Sequence, residues 1–226
     1  APNLTWVGSP APDPMAKVIG GTAMALNGST QYLEAVNATS FNPGTGSLSA
    51  DFWIKTTTPG RVILDKLCGG IFGGAGCGAS FHGWRLELNP AGRLNFWLGQ
   101  QTPATVGAGF TNASMPVLTD GNWHFVAFVI DMGAQHIRVH IDGTAAANTF
   151  TIPFAFSNIS SNRPLRVGSD HANTTNRFNG SIDELELFEN TVVPAATFQQ
   201  IYDAGVLGKC KPAVTVSVNL GTRTGV

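Results

Sequence analysis

Residues 178–189 read FNGSIDELELFE, and this stretch says more about the fold than any other part of the chain. Asn179-Gly180 predicts a sharp turn at its start, because glycine adopts positive φ without steric strain. Beyond the turn, the side chains alternate with the period of two of a β-strand, which places acidic residues on both faces. A buried strand carries carboxylates only where a partner satisfies them. The stretch therefore predicts a strand whose acids meet a metal ion, a sugar or water.

The composition is typical of a turn-rich β protein with a neutral polar surface. Only 12% of the 226 residues are charged and the formal net charge is -1. Nucleic acid and anionic membranes are therefore not expected as partners. Glycine and proline are plentiful, with 27 and 13 copies. No apolar stretch approaches the ~20 residues of a membrane-spanning helix, so no membrane insertion is expected.

Period-two alternation recurs along the chain and predicts roughly a dozen short strands. It is clear in LSADFWIKT (48–56), which places Trp53 on the face opposite Phe52. GWRLELNPAGRLNFWL (83–98) and NWHFVAFVIDMGAQHIRVHID (122–142) predict two hairpins. By contrast, residues 100–119 are polar and dotted with glycine, and little in them indicates a regular element.

One stretch predicts a helix, PAATFQQIYDA at residues 194–204. Proline suits a first helical turn, an apolar stripe follows, and Gly205 ends the helix. Many strands with one short C-terminal helix predict an all-β, two-sheet β-sandwich. We expect an extended N-terminal arm at 1–21, the sandwich at 22–212, and a strand-like tail or linker at 213–226.

The three cysteines are Cys68, Cys77 and Cys210. A glycine-rich loop separates Cys68 from Cys77, and it is short and flexible enough for a disulfide between them. Two free thiols or a metal pair are the alternatives, although no histidine follows at the spacing of a zinc finger. Cys210 is then left over, and the alternatives for it are a free thiol, a bond to another chain and a partner in a longer precursor. A disulfide would indicate an oxidising compartment.

Asn-x-Ser/Thr triplets also suggest a secreted or cell-surface protein. A surface rich in serine, threonine and asparagine produces some of these triplets by chance, which is the alternative. The predicted N-glycosylation sites are Asn3, Asn37, Asn112, Asn158 and Asn173, and two further triplets begin at Asn27 and Asn179.

The order of the motifs is informative as a set, above all DGNWHFVAFV (120–129), HIDG (140–143) and GSIDELELF (180–188). Over residues 22–210 the chain resembles the laminin-G-like branch of the concanavalin A-like lectin/glucanase superfamily. The resemblance implies a jelly-roll β-sandwich of two curved antiparallel sheets. It leaves the function open, because this fold serves sugar binding, protein adhesion, structural spacing and, in one branch, catalysis.

The glucanase branch uses Glu-x-Asp-x-x-Glu on its central strand. Aligned by this resemblance, the sequence reads Ser181, Asp183 and Glu186, so a serine occupies the nucleophile position. A hydroxyl cannot replace a carboxylate that stabilises an oxocarbenium-like centre. Strict alternation also places Asp183 and Glu186 on opposite faces unless a bulge intervenes. We therefore predict that the protein is not an enzyme, and a glycoside hydrolase is the third hypothesis.

The resemblance implies a structural Ca²⁺ site, because members of this fold often hold calcium with the aspartate that matches Asp183. Asn27 and Glu34 are the other implied side-chain positions, and calcium takes 6–8 oxygen ligands. The family often has aspartate where Asn27 stands, so the ligand charge is lower here. Alternatively, Asp183 caps a turn through backbone N–H groups. Thermal melting with and without EDTA distinguishes the two readings.

Aromatic and histidine side chains are weaker indicators of a site. Trp53, Trp84, Trp97 and Trp123 lie in alternating strands, which favours core positions over exposed sugar platforms. His124, His136 and His140 lack a carboxylate at ligand spacing, so we expect solvated or hydrogen-bonded imidazoles.

Ligand sites favour polar loops. The candidate ligand rim drawn from the loops and strand ends consists of Arg85, Gln100, Asp170, His171, Asn173 and Arg177.

Together these features predict a secreted or surface-displayed, non-catalytic binding or adhesion module. Its partner would be a glycan or a surface protein, with a glycan as the leading hypothesis. The alternative is a structural subunit that self-associates through VTVSVNL (214–220), since an alternating strand can add to the sheet edge of a neighbour. In that case, deletion of residues 213–226 is expected to lower the mass measured in solution. An unchanged mass would contradict self-association through the tail.

Overall fold

The structure is a computed structural model that describes residues 4–9, 12–13, 21–69, 81–100, 106–152, 156–171 and 175–208. In these residues nearly all regular structure is β. The strands are β1 Leu4–Val7, β2 Pro12–Asp13, β3 Ala23–Asn27, β4 Tyr32–Ala35, β5 Leu48–Lys55, β6 Val62–Asp65, β7 Gly83–Leu88, β8 Leu94–Gln100, β9 Val106–Thr111, β10 Trp123–Asp131, β11 His136–Ile141, β12 Thr144–Thr151, β13 Arg166–Val167 and β14 Asn179–Glu189.

The strands form two seven-stranded antiparallel sheets. Sheet A has the order β1-β4-β13-β6-β7-β8-β9, and sheet B has the order β12-β11-β10-β5-β14-β3-β2. The predicted all-β jelly-roll sandwich with one short C-terminal helix is confirmed. Half of the twelve neighbouring pairs of described strands join strands that are not consecutive along the chain, as in β5 beside β14, so the fold depends on long-range pairing.

The main core lies between the sheets and follows the alternation of the strands. In β5 the fully buried Phe52 and Ile54 face this core, whereas Trp53 belongs to a second cluster. Trp84, Leu86 and Leu88 of β7 meet Leu94, Phe96 and Leu98 of β8 in the main core. This is the shared face that the sequence of the hairpin predicts.

The second cluster lies on the outer face of sheet B, beneath helix α1 (Ala195–Ala204). Phe198 is the fully buried residue of this helix, and it packs with Phe125 and Val129 of β10. Pro194 precedes the helix, and Gly205 follows it with φ of 52°, which is a left-handed conformation that glycine tolerates. A short 3-10 helix, Gly205–Leu207, completes this segment. One outer face of the sandwich is therefore apolar and covered.

The predicted N-terminal arm contributes strands to both sheets. Leu4–Val7 pairs with β4 at the edge of sheet A, and Pro12–Asp13 pairs with β3 at the edge of sheet B. The tail at 213–226 lies outside the described residues. In the part of the chain that is described, no helix is long and apolar enough to cross a membrane.

Candidate functional site

A cavity of about 470 Å³ opens at the outer face of sheet B, beside the C-terminal end of α1. We call it the aromatic pocket. Its lining residues are Trp53, Trp123, His124, Asp142, Tyr202, Asp203 and Gly205. Three aromatic side chains and two carboxylates thus surround one space, while no lysine or arginine of the described chain lines it.

The inner wall of the aromatic pocket is built where α1 packs on sheet B. Trp53 of β5 lies directly opposite Phe125 of β10. The ring of Tyr202 stacks on the ring of Trp53, with centroids 5.9 Å apart and an interplanar angle of 23°. Gly143 lies beneath Tyr202, since a Cβ there would come within 2.6 Å of the tyrosine ring. These contacts fix the orientation of the tyrosine.

The floor of the aromatic pocket depends on a two-residue hairpin turn, Asp142-Gly143, between β11 and β12. Both residues have positive φ, 50° and 72°, as the preferred turns of two-residue hairpins require. One carboxylate oxygen of Asp142 accepts a hydrogen bond from the backbone N–H of Phe125 at 2.8 Å. The other lies 2.7 Å from Nδ1 of His124. The turn therefore places the carboxylate of Asp142 next to the first residues of β10.

His124 lies between two carboxylates, because its Nε2 is also 3.0 Å from Oδ1 of Asp120. Both ring nitrogens donate at once only in the imidazolium form. The hydrogen bond to Asp142 is the largest cause of a raised pKa of His124, burial opposes it, and the bond to Asp120 adds to it. The pKa of Asp120 is lowered to about 2, first by hydrogen bonds from Asn122 and then by His124.

The aromatic pocket places exposed ring surface beside hydrogen-bond acceptors. Trp123 and Tyr202 are both partly exposed, so ring surface reaches the cavity. Aromatic faces bind the apolar faces of a ring-shaped ligand, and carboxylates beside them accept hydrogen bonds from hydroxyl groups. Asp203 is exposed at the rim and accepts one hydrogen bond from Gln199, at 2.9 Å.

Strand β14 contains a β-bulge that sequence alternation did not include. Asp183 lies opposite Trp53, and Glu186 lies opposite Asp51, so one extra residue is inserted in β14. Glu184 has φ of 51°, which marks the bulge. Directly opposite residues share a face, so Asp183 and Glu186 both lie on the outer face of sheet B. Strict alternation had placed them on opposite faces.

Because of the bulge, the leucines of β14 face the main core while its aspartate and Glu186 face outward. Leu185 and Leu187 pack against the main core, together with the buried Ile182. Ser181 and Asp183 are buried as well, and Oδ1 of Asp183 accepts the backbone N–H of Glu184 at 2.9 Å. A hydrogen bond from the following N–H agrees with the turn-capping alternative for this aspartate.

The three implied calcium ligands do not converge. Asn27 pairs with Asn179, four residues from Asp183 along β14, so the two side chains start about 13 Å apart. Oδ1 of Asn27 accepts the backbone N–H groups of Ser29 and Thr30. Glu34 lies in sheet A and bonds to Arg166 at 2.6 Å. Within the described residues no group of three or more His, Cys, Asp or Glu could hold a metal ion. Calcium binding stays a prediction.

The predicted ligand rim divides into separate places. Arg85, Asp170 and His171 meet around Asp65, on sheet A. Arg85 and Asp170 are buried, so this cluster is part of the packed structure and not an exposed rim. Its ligand-binding role stays a prediction.

The other rim residues are separate from this cluster. Gln100 is also buried, and its Oε1 accepts the backbone N–H of Asn158 at 3.2 Å. Arg177 packs over the ring of Tyr32 and bonds to the backbone oxygen of Ser29. Asn173 lies outside the described residues.

One of the two cysteines of the predicted disulfide lies in the described residues. Cys68 is buried and disulfide-bonded. Cys77 and Cys210 both lie outside the described residues, so the Cys68–Cys77 pairing stays a prediction.

Three of the predicted glycosylation triplets fall in described segments. Asn37 and Asn158 are exposed, and Asn112 is partly exposed. Each accepts the backbone N–H of the residue two positions on with its side-chain oxygen, at 2.8 or 2.9 Å. Asn3 and Asn173 are not described. Glycosylation stays a prediction at all five sites.

His124 and Asp142 were not identified as site residues from the sequence. The pairing could have been found, because a hairpin with its turn at 132–135 places residue 142 opposite residue 125. The second carboxylate, Asp120, lies four residues before His124 in the same motif, DGNWHFVAFV. Tyr202 gave no such signal, because nothing local shows which sheet the helix covers.

Comparison with known proteins identifies the family. The family model described as "Concanavalin A-like lectin/glucanases superfamily" matches residues 27–196, more than half of the chain. The chain belongs to this superfamily. The resemblance expected from the motifs is therefore confirmed. Among curated proteins no relative was found.

Solved structures of similar fold include domain 4 of AbnA, a GH43 extracellular arabinanase from Geobacillus stearothermophilus, in complex with arabinotriose. It has 19% sequence identity and a TM-score of 0.57, over 87% of this chain and 86% of that one. The binding domain of botulinum neurotoxin serotype G has 16% identity and a TM-score of 0.59. The serotype D ligand-binding domain in complex with N-acetylneuraminic acid has 14% identity and a TM-score of 0.60.

The two neurotoxin comparisons align 89% and 90% of this chain with only 46% of each neurotoxin chain. This chain therefore spans about half of those domains. At these identities the likeness shows the fold alone.

Proposed function

We propose that this protein is an extracellular, non-catalytic module that binds carbohydrate in the aromatic pocket. The observation that carries the proposal is the convergence of Trp53, Trp123 and Tyr202 with the carboxylates of Asp142 and Asp203 around one cavity. Sugars present an apolar ring face and a rim of hydroxyl groups, and this wall offers a partner for each. Similar structures have been solved with arabinotriose and with N-acetylneuraminic acid, which supports a glycan as ligand.

An extracellular location is part of the proposal. The disulfide at Cys68 supports it, because disulfides persist in oxidising compartments. The exposed Asn-x-Ser/Thr triplets at Asn37 and Asn158 are compatible with it. The absence of catalysis is proposed because a serine, Ser181, stands where the glucanase motif requires a carboxylate.

The first test is a pair of tryptophan variants measured by calorimetry, with arabinotriose as the first probe and a glycan array to extend the range. Trp123→Ala is expected to weaken glycan binding at least about tenfold, because a stacking surface is lost. Trp123 is partly exposed, so the variant should fold.

Trp6→Ala is the matched control, because Trp6 is 54% exposed on β1, at the edge of sheet A. It makes the same chemical change away from the aromatic pocket and should bind as the wild type does. Equal losses in the two variants, or no glycan bound by the wild type, would contradict the proposal.

A further inference from the structure

The aromatic pocket has a charge pattern that narrows the class of glycan. His124 lies between Asp120 and Asp142, so the charge of its imidazolium form is paired with two carboxylates of the protein itself. Asp203 lies at the rim, and no cationic side chain of the described residues pairs with it. The described lining of the cavity therefore carries a net negative charge. Lys55 lies opposite Trp123 in the register of β5 and β10, but it is not among the lining residues.

We propose that the aromatic pocket selects glycans that carry a protonated primary amine, a choice that rests on the proposed carbohydrate-binding function. An ammonium group near the face of Trp or Tyr is attracted by the ring quadrupole, and an adjacent carboxylate adds a charge-assisted hydrogen bond. Here Trp123 and Tyr202 supply the rings, and Asp203 supplies the carboxylate.

The same geometry acts against acidic glycans. A uronate or sialate carboxylate in this cavity would face Asp142 and Asp203 with no arginine or lysine among the described lining residues. Like charges at close range disfavour binding, and the cost rises as water is displaced. Neutral sugars meet neither the attraction nor the repulsion, so they occupy the middle of the affinity range.

The cavity is also large enough for the proposed ligand. Ligand pockets commonly have volumes of roughly 300–1,000 Å³, and this one has about 470 Å³. Gly205 lines this cavity, and a Cβ at this position would meet no atom within 4 Å. One sugar unit with its amine can therefore lie against Trp123 while the rest of the oligosaccharide extends into solvent.

The experiment compares three oligosaccharides of equal length by calorimetry: a chitosan oligomer with free amines, its N-acetylated chitin counterpart and an oligogalacturonate. At a pH where the sugar amine is protonated, the chitosan oligomer is expected to bind at least about tenfold more tightly than the chitin oligomer. The oligogalacturonate is expected to bind least. Added salt should reduce the preference for the amine, because the attraction is partly electrostatic.

Two charge variants locate the effect. Asp203→Asn keeps the shape of the side chain and an oxygen acceptor for Gln199, and it should weaken binding of the chitosan oligomer severalfold more than binding of the chitin oligomer. Asp131→Asn removes the same charge at the opposite end of β10 from Trp123, where Asp131 pairs with Arg138 at 2.8 Å. It should leave the preference intact.

The outcomes separate this inference from the proposed function. Neutral oligosaccharides that bind the wild type but not Trp123→Ala, without any preference for the amine, would overturn the inference and leave the carbohydrate module standing. A preference for the amine that Asp131→Asn reduces as much as Asp203→Asn would show an effect of net charge and overturn it as well. If none of the three oligosaccharides binds, the inference fails, and the proposed function fails with it only if arabinotriose and the glycan array also show no binding.

Discussion

Replacing Asp65 with alanine is expected to lower the free energy of unfolding by about 3–5 kcal/mol, because it breaks a buried ion pair and leaves one charge behind. Nε of Arg85 lies 2.8 Å from Oδ1 of Asp65, and the two side chains are 1% and 0% exposed. Burial acts to lower the pKa of Arg85, but chiefly Asp65, with Asp170 and Glu87, holds that pKa above its ordinary value. Because a guanidinium keeps its proton in proteins, removing Asp65 leaves a buried cation without its main partner.

Asp65 also satisfies two backbone donors, the N–H groups of Leu67 at 3.1 Å and His171 at 3.2 Å. A buried N–H group that loses its acceptor adds to the loss of stability. The carboxylate thus joins β6 to the segment after β13, and the variant is expected to loosen that segment first. Urea denaturation monitored by tryptophan fluorescence measures the change.

Glu34→Ala is the matched control, because it removes an ion pair from the same cross-strand row of sheet A. Residue 34 lies opposite Arg166, which in turn lies opposite Asp65. The side chains of Arg166 and Glu34 are 20% and 30% exposed, so this pair should contribute at most about 1 kcal/mol. If Asp65→Ala were no more destabilising than Glu34→Ala, the buried pair would not be a major source of stability.

Strand positions were predictable where a strand buries one face, and less so elsewhere. In LSADFWIK, Phe52 and Ile54 fill the core while Trp53 points away, so the pattern is visible in the sequence. Strand β9 was not predicted, because its outward positions are glycines. A Cβ at Gly107 would come within 2.2 Å of the Phe81 ring, and one at Gly109 within 2.9 Å of the Trp97 ring. The aromatic rings that pack here require glycine, and glycine lacks the side chain whose alternation would have predicted a strand.

The site was less predictable than the fold, because its parts meet through tertiary packing. Hairpin register brings Asp142 to His124, and that step depends only on local turn geometry. The approach of Tyr202 to Trp53 depends on which sheet the helix covers. The bulge of β14 depends on the positive φ of Glu184, and glutamate is not a residue type for which positive φ is expected. Without the bulge, alternation places Asp183 and Glu186 on opposite faces of the sheet, whereas the structure has them on the same face.

The second large effect is expected at Asp142, where alanine should lower the free energy of unfolding by about 2–4 kcal/mol. Three contributions are lost together. The N–H of Phe125 loses its acceptor at 2.8 Å, His124 loses its partner at 2.7 Å, and a residue with φ of 50° becomes one that tolerates this conformation poorly. Since this turn forms the floor of the aromatic pocket, Asp142→Ala should also weaken glycan binding.

Asp142→Asn separates the charge from the shape. Asparagine tolerates a left-handed conformation and keeps an oxygen for the N–H of Phe125, so most of the stability of the turn should survive. Because asparagine has one oxygen, the negative charge and the hydrogen bond to Nδ1 of His124 are lost together, while Asp120 still holds the other ring nitrogen. We expect the asparagine variant to lie between the wild type and Asp142→Ala in urea denaturation. Equal losses in the two variants would show that charge, and not turn geometry, dominates.

The charge contribution has a defined pH dependence. The pKa of His124 is raised in the folded state, so its stabilisation is fully present below the unfolded value of about 6.5 and is lost as the pH rises through the folded pKa. The stability difference between the wild type and Asp142→Asn should therefore be largest at mildly acid pH and shrink on the alkaline side. NMR titration of His124 measures the same pKa directly, and it should fall in the variant. A stability difference that stays constant across this range would assign the effect to the turn and not to His124.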